Sequence, residues 1–152
     1  MTLKAGNILF LDTNILLIAT DKGCNDHEKG LSVFPFAIEK RIHLALSGQI
    51  IREYLVVATR SEDENGLGLS TPDALKNIEE FSKRTLLLEE TDEVSVKLLS
   101  RVGELNMVGK RIHDANVAAT IIAHSVHLLL TANAQDFRQF SSIDIIGLND
   151  LL

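Results

Sequence analysis

Ile8-Leu9-Phe10-Leu11-Asp12-Thr13-Asn14 places four consecutive apolar residues directly before three polar ones. An unbroken apolar run of this length reads as a strand covered on both faces, the usual condition in a parallel sheet. Such sheets bind ligands beyond the carboxyl ends of their strands, so Asp12 emerges where chemistry takes place in folds of this kind. Aspartate is also a favoured helix N-cap, and this residue alone does not separate the two readings.

Working outward, the runs 42–46, 86–88, 128–130 and 143–146 read as four more strands. Helical segments are predicted between them. One runs from about residue 25 until Pro35 interrupts it, and another spans 49–60 with Ser47 available as its cap. A third begins at Thr71-Pro72 and extends to about Lys83, with proline in the first turn. Segment 92–105 carries Val94, Leu98 and Leu105 near one stripe, segment 113–125 forms the next helix, and 136–140 a helical turn. Residues 61–70 are polar with two glycines and read as a surface loop. This alternation predicts an α/β fold, a three-layer sandwich around a central, mainly parallel sheet.

The chain has 152 residues and is 45% hydrophobic, enough for one core and one domain over 1–152. Cys24 is the only cysteine, so no intramolecular disulfide can form, which fits a reducing compartment and favours the cytoplasm. Asp12 and Asn14 break the first apolar stretch before a secretory core could form, and 117–130 is interrupted by His124, Ser125 and His127. No membrane segment is expected. The net charge of −6 argues against general attraction to phosphate backbones, unless clustered acids hold cations that reverse the local potential. No phosphate-binding or dinucleotide glycine fingerprint is present.

Two acids fall where helix phase demands apolar residues. Glu53 lies three residues after Ile50 and four before Val57; Asp114 lies four before Ala118 and seven before Ile121. An uncompensated buried carboxylate is costly, so each needs donors, a cation or a metal. Arg52 and Arg111 adjoin these acids in sequence, and neighbouring helical residues point in different directions, so direct pairing is geometrically poor. Oxygen donors without a cysteine or histidine cluster suit a hard ion, magnesium or manganese, and disfavour zinc.

Four segments, ILFLDTNILL, SGQIIREYLVVATR, GKRIHDANVAAT and LLLTANAQDF, together resemble the PIN-domain family, particularly the VapC-like toxins, over nearly the whole chain. The resemblance implies that Asp12, Glu53 and Asp114 are catalytic metal ligands. The fourth segment departs from the family pattern: Asn133 stands where an acid is usual, and Asp136 follows one helical turn later. Either would serve the second metal position, or Asp136 caps the following turn. Thr13 and Asn14 are placed to orient Asp12. Lys110, Arg111 and Arg138 are candidates for flanking phosphates, or solvated surface cations.

The implied activity is metal-dependent hydrolysis of RNA phosphodiesters, by the toxin of a toxin-antitoxin pair. The implied partners are an RNA substrate, a small antitoxin and a second copy of the chain as a homodimer. A PIN fold that binds RNA or a partner without cutting is the alternative. A phosphoacceptor regulator fits poorly, since the third strand runs into Glu89-Glu90 and the fourth is followed by Thr131. A haloacid-dehalogenase-like phosphatase needs an aspartate where Asn14 stands.

Overall fold

All five apolar runs form strands, and every pairing between them is parallel. The structure, a computed structural model, describes residues 3–151. In chain order the elements are β1 (Ile8–Leu11), α1 (Thr13–Thr20), α2 (His27–Lys40), β2 (His43–Ser47), α3 (Gly48–Thr59), α4 (Thr71–Ser82), β3 (Thr85–Leu88), α5 (Asp92–Leu105), α6 (Arg111–Ala123), β4 (Leu128–Thr131), β5 (Asp144–Gly147) and α7 (Leu148–Leu151). Short 3-10 turns occupy Glu62–Glu64 and Ala134–Phe137. The sheet order is β3-β2-β1-β4-β5, flanked by the seven helices, which makes the expected three-layer α/β sandwich.

β1 and β4 are the most deeply covered strands: Leu9, Phe10, Leu11, Leu129 and Leu130 are fully buried. The pairs Phe10 with Leu129 and Leu11 with Leu130 align the carboxyl ends of these two strands. Beneath the helices, Tyr54 meets Phe81 edge to face, and its hydroxyl bonds Thr20 Oγ1 at 2.9 Å and Asn77 Nδ2 at 3.1 Å. That polar pairing lets a fully buried tyrosine sit in the core without an orphan hydroxyl. Gly30 permits close approach of α1 and α2, since a Cβ there would lie 2.8 Å from Ile18 Cγ2 and 2.9 Å from the Ala19 nitrogen.

Several local expectations need correction. Pro35 does not end its helix, because α2 continues through it to Lys40. The backbone bond that proline cannot make costs about 3 kcal/mol, but Val33, Phe34 and Ala37 are buried on both sides of it and hold the helix against the core. α1 has no counterpart among the expected helices; eight residues, mostly apolar, show too little polar face to betray a helical period. Ser47 occupies the N-cap position of α3 but its side chain makes no cap bond; Glu90 Oε2 accepts from the Gln49 nitrogen at 3.0 Å instead. α4 is capped by Ser70, one residue earlier than expected, with its Oγ accepting from the Asp73 nitrogen. Leu105 lies 39% exposed rather than on the packed stripe with Val94. β3 is an edge strand, and its Leu86 and Leu87 are exposed, as are Val96 and Leu99 on α5.

Candidate active site

Sheet order locates the crevice before any side chain is considered. From β1 the chain adds β2 and β3 on one side, then crosses to place β4 and β5 on the other. The carboxyl ends of β1 and β4 therefore border the point where strand order reverses, the usual ligand site of an open parallel sheet. Asp12 directly follows β1, its backbone nitrogen extending the ladder to the Leu130 oxygen at 3.0 Å, and Thr131 closes β4.

Asp12 both caps α1 and faces this crevice, so the two readings of the residue are compatible. Its Oδ1 accepts from the Thr13 nitrogen at 2.8 Å, and its Oδ2 accepts from Thr131 Oγ1 at 2.7 Å and Asn14 Nδ2 at 3.2 Å. The Asn14 Oδ1 in turn accepts from the Ala132 nitrogen, which ties the β1 and β4 loops together. Burial holds the Asp12 carboxyl above its ordinary range; the bonds from Thr131 and Thr13 oppose the rise, and the charges of Glu53 and Asp136 add to it.

Glu53 is carried inward by α3, as its helix phase predicts. Thr13 Oγ1 donates to its Oε2 at 2.7 Å and Gln49 Nε2 to its Oε1 at 2.8 Å, so each carboxylate oxygen is held by one neutral donor. Asp114, in the first turn of α6, is half-buried, and its carboxyl is pushed up to about 6. Burial is the main cause; the negative charges of Asp12, Asp136 and Glu53 add to it, and Arg111 opposes it.

Asp136 joins the same electrostatic field from an exposed position within the turn Ala134–Phe137. Asp136 makes no capping bond to the following turn at 137–140: it lies inside Ala134–Phe137, whose N-cap position is Asn133, and among the described residues no backbone nitrogen donates to its carboxylate. Asn133 is exposed, its backbone nitrogen bonds Thr131 Oγ1 at 3.0 Å, and no hydrogen bond among the described residues ties its side chain to the acids. The four acids thus share one field without closing into a ligand shell. Among the described residues, no group of three or more His, Cys, Asp or Glu side chains stands at the spacing of a formed metal site.

Beside the acids opens a cleft of about 590 Å³ lined by Thr13, Gln49, Glu53 and Asp114, with Val56 and Val57 as an apolar wall and Arg52 and Lys110 as cations. Arg52 and Arg111 do not neutralise the adjacent acids as salt-bridge partners: Arg52 lies 3.7 Å from Glu90, and Arg111 bonds Gln139. Of Lys110, Arg111 and Arg138, Lys110 lines the cleft. Thr131, Gln49 and Asn116 escaped the sequence reading. Gln49 stands four residues before Glu53, a spacing that puts both on one helical face and was a usable signal. Thr131 had only its place at a strand end.

No family model and no curated protein sequence matches this chain. Solved structures do match. A chain of VapBC-1 from nontypeable Haemophilus influenzae superposes with a TM-score of 0.70 at 15% identity, covering 93% of this chain and 98% of that one. The fold is VapC-like. DNA-bound VapBC from Salmonella typhimurium gives a TM-score of 0.68 at 16% identity, over 93% of this chain and 98% of its own. VapC20 of Mycobacterium tuberculosis, described as a sarcin-ricin loop cleaving toxin, gives 0.61 at 12% identity over 80% and 86%. At these identities the likeness to VapC structures establishes the fold, and the chemistry rests on this chain's own residues.

Proposed function

We propose that this chain is a metal-dependent endoribonuclease of the PIN-domain type, acting as the toxin of a toxin-antitoxin pair. The observation that carries the reading is the convergence of Asp12, Glu53, Asp114 and Asp136 in one field at the strand-order reversal of a VapC-like fold. Four like charges gathered at the crevice are unfavourable unless protons or a cation compensate them, and they add to the burial that pushes Asp114 up to about 6. The donor set is all oxygen and fits magnesium or manganese.

Asp12, Glu53 and Asp114 would hold the cation, with Asp136 nearest to completing a second position and Asn133 a neutral alternative. A bound magnesium or manganese ion supplies charge neutralisation at the phosphate and acidifies water for attack. The chain's own residues supply position. Thr13, Asn14 and Thr131 hold both oxygens of Asp12, while Thr13 and Gln49 hold those of Glu53. Arg52 and Lys110 on the cleft rim would bind phosphates flanking the scissile bond, supplying locally the positive charge that a net −6 lacks.

A small antitoxin and a second copy of the chain are the proposed protein partners. The apolar surface at Leu86 and Leu87 on the edge strand, and at Val96 and Leu99 on α5, is of the kind that partners cover. Among the described residues no helix is long and apolar enough to cross a membrane, and the cytoplasm is the proposed location.

Incubating purified protein with single-stranded RNA and magnesium or manganese tests the activity. Cleavage that chelation stops is the expected result. RNA bound but uncut at saturating manganese would replace this reading with that of a non-cleaving PIN-fold protein. Light scattering on the eluted peak checks the dimer.

A further inference from the structure

Between the acid-bearing helices α3 and α6 lies a chain of side-chain amides that ligand chemistry alone does not require. Gln49 is 2% exposed, and its Nε2 donates to Glu53 Oε1 at 2.8 Å and to the His113 carbonyl oxygen at 2.9 Å. Its Oε1 accepts from Asn116 Nδ2 at 2.8 Å, and the same Asn116 nitrogen donates to Glu90 Oε1 at 2.6 Å. Glu90 Oε2 closes the circuit on the Gln49 backbone nitrogen at 3.0 Å.

The direction of these bonds is fixed by chemistry. Turning the Gln49 amide over would set its oxygen against a carboxylate and a carbonyl, and turning Asn116 would set oxygen against two oxygens. Both hydrogens of each amide are therefore committed. A buried amide so fully satisfied has one orientation, and removing it leaves its partners unpaired.

We infer that Gln49 is a positioning residue that sets the separation of Glu53 and Asp114, with Asn116 and Glu90 holding it in place. His113 is the residue before Asp114, so anchoring its carbonyl fixes the first turn of α6 on which Asp114 stands. α3 otherwise packs mainly on α1 and α4, and α6 on α5, which leaves the Gln49 bonds as a principal tie between the two acid-bearing helices. Glu53 is held from both sides, by Thr13 and by Gln49, so that its oxygens present a fixed edge to the crevice. The inference rests on the metal-site reading above and deepens it.

The test is a calorimetric manganese titration of the full chain, with melting temperatures measured in parallel, for wild type, Gln49→Met and Asn116→Ala. Methionine keeps the length of Gln49 and removes its donors. Partners that orient metal ligands typically contribute about 10–100-fold in affinity. The expected result is a dissociation constant raised about tenfold or more in Gln49→Met and by a smaller factor in Asn116→Ala, which acts one bond further away. If Gln49→Met does not fold, Asn116→Ala decides the matter by the same criterion. Manganese affinity unchanged in the folded variants, even with lowered melting temperatures, would overturn the inference and leave Gln49 a structural amide. Wild type that takes up no manganese would overturn the metal-site reading, and this inference with it.

Discussion

The two halves of the acidic crevice are built differently. Asp12 and Glu53 are held by hydrogen bonds from Thr13, Asn14, Thr131 and Gln49, so both carboxylates have defined orientations. Asp114 and Asp136 belong to the same electrostatic field, but among the described residues no hydrogen bond reaches either carboxylate, and the charges acting on Asp114 are mostly those of acids. One half is preset. The other is arranged for charge that something else must neutralise. In the proposed metal site the preset carboxylates would fix the place of the cation, and the acids without hydrogen bonds would be the ones whose charge it offsets.

The sharpest way to break this comparison is at Asp12. Asp12→Asn removes one charge from the preset half at nearly constant volume, and turnover should fall more than about a hundredfold, beyond the effect usual for outer partners. Circular dichroism should show the fold intact. Activity close to wild type in metal-containing buffer would remove Asp12 from the ligand set.

At Asp136 the expected effect is smaller, because this acid is exposed and no hydrogen bond among the described residues fixes its carboxylate. Asp136→Asn should raise the metal concentration for half-maximal cleavage about tenfold. Asn133→Asp should lower it if that side chain turns inward when metal binds. Since Asp136 lies inside its turn rather than at the cap, a loss of helix capping cannot account for the Asp136→Asn change. Identical metal midpoints for wild type and Asp136→Asn would confine the site to Asp12, Glu53 and Asp114.

The smallest effect concerns the metal-free protein and Asp114. Its folded value of about 6 lies above the ordinary 3.8, so folding favours the protonated form. Above pH 6 the native state carries the full penalty of the ionised group; as pH falls from 6 toward 3.8 the penalty disappears. Asp114→Asn should therefore raise the melting temperature of the metal-free protein at pH 7 by a few degrees at most, given its partial exposure, and flatten this part of the stability profile. A parallel profile for wild type and variant between pH 4 and 7 would show that Asp114 does not carry the strain.

How much of this was legible in the chain depends on the range of the interaction. The strands read at 8–11 and 128–130 could be found because a fully covered strand must be apolar throughout, a constraint that leaves its mark in three or four consecutive letters. Glu53 and Asp114 stood out because helix phase is local: an acid three or four residues from buried neighbours faces the same way they do. The inward turn of these acids and the place of Asp12 beyond β1 follow from such short-range rules, whereas the departure at Asn133 showed only through the resemblance to the PIN-domain pattern.

What needed the tertiary structure is every relation between elements that do not adjoin in sequence. Pro35 inside α2 was decided by the burial of Val33, Phe34 and Ala37, since packing on the core outweighs one lost backbone bond. The cap of α3 passed from Ser47 to Glu90, which lies 41 positions beyond the Gln49 nitrogen it accepts from and is brought near only by the turn after β3. The same distance hid Thr131 and Asn116, whose partners lie 119 and 67 residues off. By itself the sequence determined which residues are apolar enough to be strands and which acids turn toward the core, because those follow from periodicity over one or two turns. Only the folded chain decided the distant donors, Thr13 on Glu53 and Thr131 on Asp12, because a hydrogen bond across 40 or 119 residues is set by a separation of about 3 Å in space and leaves no periodic trace along the chain.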